Sequence, residues 1–464
     1  MTPPGVARFL ASLFPQANTP TCRLLDAGAG MGALSAAFLE RCAAGALGFT
    51  SLAVDAYEFD EVLLDGLRQI LAGYADRLPL VARVLPGDFV EQAVSSLGLW
   101  GGPRYSHAIL NPPYKKIQSH SRHRLLLRQA GIETSNLYSA FVALALALLE
   151  EGGQLVAIIP RSFCNGPYFR PFRDFLLERA AIRHLHLFAS RDKAFREDGV
   201  LQENLILRLE RGGVQGPVTV STSTDDSFAD TLEHLHPFER IVLPGDPERF
   251  IHIPTSPEAP AHEALPGLDH TLAALRLEVS TGPVVDFRLR DWLRDQPGPD
   301  TVPLLYPVHF RAGRLVWPLA DARKPNAIVQ HAETAKWLYP AGCYCVTRRL
   351  SSKEEKHRIV AGVVDPALLP GVSALGFENH LNVFHQDRHG LPALLALGLA
   401  AFLNSGIADA QFRRFNGHTQ VNATDLRGMR YPSRDLLTTL GAWAKTRGDL
   451  VLAEVDEKLE TLLA

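Results

Sequence analysis

The chain has 464 residues, a net charge of −3, a pI near 6.6 and an ordinary globular composition, so it is long enough for two cores and carries no global basic field. Any nucleic-acid surface must then be a local patch. Five scattered cysteines without paired zinc spacing, no basic-then-apolar leader, and a longest apolar run (Phe141 to Leu149) too short for a bilayer predict a soluble, cytoplasmic protein with reduced thiols and no metal site.

Thr2-Pro3-Pro4-Gly5 leads into Val6 to Phe14, where Val6, Phe9, Leu10 and Leu13 share one helical face. Thr2 with a following proline is the expected N-cap and N1 of that helix. Arg23 to Ala27 then reads as a buried strand, Gly28-Ala29-Gly30-Met31-Gly32 as a turn, and Ala33 to Cys42 as a helix. Glycines let the backbone come close to a ligand and free the helix N–H groups to point at it. Gly28, Gly30 and Ala33 also fit G-x-G-x-x-A, which leaves a dinucleotide-binding reading open.

A second strand, Ser51 to Tyr57, ends at Glu58, about where nucleoside-binding folds place a ribose-binding carboxylate; Asp60 and Asp55 are the alternatives. A helix over Glu61 to Gly73, a strand over Leu80 to Leu85, and Gly87-Asp88-Phe89 follow. Asp88 can accept from an amino group while Phe89 packs on a ring, or Asp88 can simply cap the helix beginning near Glu91.

The apolar run His107 to Leu110 opens into Asn111-Pro112-Pro113-Tyr114. Two prolines fix the direction of the carbonyls around them, so the Asn111 side-chain oxygen and a proline carbonyl make a rigid acceptor pair for the two hydrogens of an exocyclic amine or an amide. Tyr114 supplies a flat face. Beyond it Lys115, Lys116, Arg122, Arg124 and Arg128 occur without an acid, with His120 and His123 interleaved. A helix from Asn136 to Glu150, a strand Gln154 to Ile159, a helix Phe169 to Arg179 and a strand Ile182 to Phe188 continue the alternation. Repeated βα units predict a largely parallel, doubly wound α/β sheet with Gly28, Glu58, Asp88 and Asn111 on one edge. The polar loop from Ser190 holds one aromatic, Phe195.

Gly212-Gly213 and Gln215-Gly216-Pro217 mark a boundary, giving domains 1–215 and 216–464. The second half mixes short strands and loops with basic residues, a polar cluster at Phe415 to Asn422, and closing helices over Leu394 to Phe402 and Leu436 to Leu463.

Taken together, these motifs resemble the gamma-type N6-adenine DNA methyltransferases of restriction–modification systems, over about the first 210 residues in order. The resemblance implies a Rossmann-like S-adenosylmethionine-dependent catalytic domain and a C-terminal mixed α+β target-recognition domain. It implies that Thr2, Pro3, Asp26, Gly28, Gly30, Gly32, Glu58, Asp88 and Phe89 bind the cofactor and that Asn111, Pro112, Pro113 and Tyr114 are catalytic. Phe195 would stack on the flipped base, and Lys115 and Lys116 would meet the substrate. Double-stranded DNA is the expected partner, beside a restriction endonuclease encoded separately, with no membrane. Methylation of RNA adenine or of a protein glutamine in the same pocket is the alternative; an oxidoreductase built on the glycine turn leaves Asn111 to Tyr114 unexplained, and a silent DNA-binding module is the non-enzymatic rival.

Overall fold

The computed structural model describes residues 2–16, 19–98, 104–188, 204–246, 248–254, 267–311, 313–320, 323–351, 355, 357–415, 420–447 and 452–463. They form two compact units, 1–257 and 258–464.

In the first unit helix α1 (Pro4–Ser12) precedes strand β1 (Thr21–Ala27), and α2 (Ala33–Ala43), β2 (Ser51–Glu58), α3 (Glu61–Ala75), β3 (Leu80–Pro86), α4 (Phe89–Gly98) and β4 (Tyr105–Leu110) follow in alternation. Next come α5 (Arg122–Gln129), α6 (Leu137–Leu148), β5 (Leu149–Pro160), α7 (Arg170–Arg179), β6 (Ala180–Phe188), β7 (Asn204–Arg211), β8 (Val218–Ser223) and β9 (Leu232–His236). The nine strands form one sheet in the order β3-β2-β1-β4-β5-β7-β6-β8-β9. Strands β1 to β5 are mutually parallel, as a doubly wound sheet requires. Strand β7 runs antiparallel between β5 and β6, and β8 pairs parallel with β6.

Side chains alternate across each strand, so neighbouring residues serve opposite cores. Leu155, Ala157 and Ile159 pack under α4, α6 and α7, whereas Val156 and Ile158 pack under α1, α2 and α3. This is why β5 reads as one continuous apolar run: it is covered on both faces.

Thr2 does not cap α1. Pro3 is the N-cap, with no side-chain bond, because Thr2 lies a residue too early and its hydroxyl is engaged elsewhere. The unit boundary also falls later than the expected 215/216, since β8 and β9 extend the first sheet rather than opening a second core.

The second unit has a six-stranded and a five-stranded sheet. At the centre of the larger, Tyr344–Arg348 pairs antiparallel with Leu381–His385 and Ala361–Val364. Helices Ala393–Leu403 and Arg434–Lys445 cross at glycines: a Cβ at Gly398 would collide with Leu437 O, and one at Gly441 would collide with Leu394 O. No single helix among the described residues is long and apolar enough to cross a membrane.

Candidate active site

The carboxyl ends of β1, β2 and β4 open on one edge of the sheet, where a doubly wound fold presents its crevice. At the end of β1 the chain turns through Gly28, Gly30 and Gly32, with φ of 78°, 57° and 85°. Positive φ at three alternate positions demands residues without a Cβ. At Gly32 a Cβ would also come within 2.8 Å of Leu67, while at Gly30 it would meet nothing within 4 Å, so the backbone there is open to a ligand.

Glu58, buried at the end of β2, fastens this turn. Its Oε2 accepts from the Gly30 N–H at 2.7 Å and its Oε1 from the Asp60 N–H at 2.7 Å. Asp55 is committed sideways to Arg83 (2.6 and 2.5 Å) and the Tyr105 hydroxyl (2.8 Å), and Asp60 caps α3, which leaves Glu58 as the carboxylate at the glycine turn.

Asp26 is fully buried within β1. Its Oδ2 accepts from the Ser35 N–H at 3.2 Å and hydroxyl at 2.6 Å, and its Oδ1 has no hydrogen-bond partner among the described residues. Burial pushes its pKa up to about 7 against the opposing pull of the Ser35 bonds.

Asp88 both caps and reaches out. Its Oδ1 accepts from the Val90 and Glu91 N–H groups at 2.8 and 3.2 Å, and its Oδ2 lies 2.7 Å from His123 Nε2. The Phe89 ring is 3% exposed and sits against Tyr57 and Phe141, with centroids 5.1 and 5.0 Å away.

At the end of β4, Asn111 Nδ2 donates to Thr2 Oγ1 at 2.9 Å, and the Tyr114 hydroxyl donates to Asn111 Oδ1 at 3.3 Å or to Ile158 O at 3.4 Å. The motif at the chain's start and the motif after β4 therefore meet at one hydrogen bond. Pro112 is buried and Pro113 exposed. Tyr114 packs edge-on to Tyr138 at 6.2 Å. The Leu137 N–H bonds Lys115 O, and the Ile117 N–H bonds Ser135 O, both at 2.8 Å, so the loop is pinned beyond Tyr114.

The basic run is not free of counter-charge. Arg122 pairs with Glu91 of α4 at 3.0 Å, Arg124 and Arg128 both pair with Glu133, and His123 faces Asp88. Lys115 and Lys116 are exposed and have no ion pair among the described residues. Sequence reasoning counted His123 only as part of the basic run and not as a partner of Asp88, because its acid lies 35 positions earlier. Phe195 lies outside the described residues.

The set fits S-adenosylmethionine: an open glycine turn, a carboxylate at its lip for a diol, a second carboxylate at the next strand end for an amine, and a buried acceptor left unpaired at Asp26. Among the described residues no group of His, Cys, Asp and Glu could hold a metal ion.

Comparison with known proteins finds relatives of the whole chain among methyltransferases. The Eco57I restriction-modification methylase family matches residues 103–195. Type II methyltransferase M.BsuBI of Bacillus subtilis is 51% identical over 469 residues, spanning 100% of this chain and 93% of that protein. Type II methyltransferase M.PstI of Providencia stuartii is 43% identical over 445 residues, spanning 94% and 87%. Among solved structures, the Type IIL restriction-modification enzyme MmeI in complex with DNA aligns over 99% of this chain and 70% of its own, with a TM-score of 0.55 at 10% identity, a likeness of fold.

Proposed function

The chain belongs to the Type II methyltransferases of restriction–modification systems, and from that premise we propose that it methylates N6 of a specific adenine in duplex DNA. DNA is the substrate class and S-adenosylmethionine the cofactor, which supplies a methyl group on a sulfonium sulfur.

The observation that carries the adenine reading is the Asn111 amide beside the Pro112 carbonyl at the end of β4, on the same edge as the glycine turn, Glu58 and Asp88. The N6 lone pair of adenine is delocalised into its ring and is a poor nucleophile. Asn111 Oδ1 and Pro112 O accept the two N6 hydrogens, draw the lone pair back onto nitrogen and aim it at the methyl carbon. Oδ1 has a second lone pair beyond the one facing the Tyr114 hydroxyl at 3.3 Å, and that lone pair is available to the target amine. Glu58 would take the ribose diol, Asp88 the cofactor's amine, and the glycine turn its tail.

To enter, the adenine leaves the duplex at a cost of a few kcal/mol in lost stacking. The Tyr114 ring, and Phe195, would offset part of it, since base–aromatic stacking contributes about 1–3 kcal/mol per base. Lys115 and Lys116 would hold the flanking phosphates. The first unit carries the chemistry and the second reads the target sequence, as a cytoplasmic enzyme protecting host DNA from an endonuclease of the same specificity.

Transfer of a labelled methyl group to unmethylated duplex DNA, with the modified bases resolved, tests this reading beside RNA and protein substrates. N6-methyladenine in duplex DNA, lost in Asn111→Ala, is the expected result. Label confined to RNA or to protein glutamine would sink the substrate assignment.

A further inference from the structure

The hydrogen bond from Asn111 Nδ2 to Thr2 Oγ1 at 2.9 Å carries more than the meeting of two motifs. An asparagine amide has an acceptor end and a donor end of nearly equal shape, and a half-turn of its last torsion exchanges them. With the oxygen toward N6, Asn111 accepts a hydrogen. With the nitrogen there, it presents two hydrogens to an amine that also presents hydrogens, and the site is dead. A hydroxyl partner favours the first state when its own hydrogen is directed elsewhere, which leaves its oxygen to accept from the NH2 group.

We propose that Thr2 is a positioning residue for the methyl transfer: its hydroxyl oxygen holds the Asn111 NH2 group and so keeps Oδ1 turned toward the target amine. The proposal rests on the reading of Asn111 given above and adds a role to Thr2 beyond contact with the cofactor.

Thr2 can do this only if α1 is itself held, and it is held at three levels. At its C-terminal end, Arg41 donates to Ala11 O and Phe14 O at 2.6 and 2.9 Å, and Arg208 donates to Leu13 O at 2.9 Å. At its middle, Phe9 stacks on Phe228 with centroids 4.0 Å apart and planes 5° from parallel. At its first turn a Cβ on Gly5 would collide with Asp226 O, so the loop between β8 and β9 touches the helix where only glycine permits it. The hydroxyl at position 2 is thus referenced to the sheet from both sides of α1.

Thr2→Val keeps the shape and removes the acceptor; Thr2→Ser keeps the hydroxyl. The single-turnover rate of methyl transfer to duplex DNA is expected to fall about fivefold to a hundredfold in Thr2→Val, the range for stranding one hydrogen-bonding group. The fall should persist at saturating S-adenosylmethionine, with cofactor affinity measured in parallel by titration calorimetry, and Thr2→Ser should restore the rate. An unchanged rate in Thr2→Val overturns the proposal. So does a loss of cofactor affinity that accounts for the whole loss of rate, or a Thr2→Ser enzyme as slow as Thr2→Val. If Asn111→Ala itself keeps the parent rate, the reading of the catalytic amide has failed instead, whatever the Thr2 variants do.

Discussion

Asp26 is a carboxyl group that the fold keeps at a cost. Its pKa is pushed up to about 7 by burial, whereas a carboxyl in the unfolded chain titrates near 3.9, so between these values the folded chain binds the extra proton. Its contribution to stability is whole below the lower value and is lost as pH rises through about 7. Asp26→Asn should therefore gain in melting temperature relative to the parent at pH 8 and show a smaller gain at pH 5; a gap independent of pH would mean the carboxyl is ionised throughout. Asn111→Ala should lower transfer by about a hundredfold or more, with cofactor binding preserved. Lys115→Ala with Lys116→Ala should weaken DNA binding and reduce the magnitude of the salt slope by about 2, near 0.9 for each phosphate that the lysines no longer neutralise. Much of this residue-scale picture was legible in the chain, because Asn111 to Tyr114 and Gly28 to Gly32 are contiguous stretches that directly follow strands. The pairing of His123 with Asp88 and of Arg122 with Glu91 was not. A counter-charge on another helix leaves no trace beside the cation it neutralises.

The clearest case among the secondary-structure elements is the pairing of β6 with β8 inside the sheet. His184 and His186 point from β6 to the Ser221 hydroxyl at 2.6 and 2.8 Å, and His186 Nε2 reaches Ser223 at 3.1 Å. Burial lowers their pKa values to about 4 and about 3, and that of His107 in β4 to about 4. The unfolded imidazole titrates near 6.5, so the folded chain binds fewer protons below that pH, and the stability these groups contribute is lost as pH falls from 6.5 toward 4. Denaturant melts at pH 7 and pH 5 should show a smaller difference in His184→Gln with His186→Gln than in the parent; an equal difference would place the acid sensitivity elsewhere. In the second unit, Gly398→Ala should destabilise by about 1–3 kcal/mol or more, because the helix Arg434–Lys445 has to move to admit one methyl group. Strands β1, β2, β4, β5 and β6 were readable from their apolar runs, whereas β8 and β9 were not read as part of the first unit. The close crossing of the two glycines was not, since a glycine inside a helical pattern shows only that nothing is there.

At the scale of the whole chain, the glycine-rich stretch 212–217 looks like the end of a domain and is instead a turn within one sheet. Turn residues are a local signal, whereas the parallel pairing of β8 with β6 is made across the sheet and has no local signature. A fragment ending at 215 would bare the edge of β6 and uncover Phe9; it is expected to aggregate. A fragment ending at 257 should stay monodisperse in size-exclusion chromatography and bind S-adenosylmethionine as the full chain does. If the shorter fragment behaves equally well, β8 and β9 are dispensable to the first unit. The stacking of Phe9 on Phe228 also sets an order in time. Synthesis proceeds from the N-terminus at about 5–20 residues per second, so the cover for α1 leaves the ribosome on the order of ten seconds or more after the helix itself. Until then the helix that follows Thr2 is bare on the face Phe228 covers, and the last of its three holds closes only after residue 228, more than two hundred positions further on, has been translated.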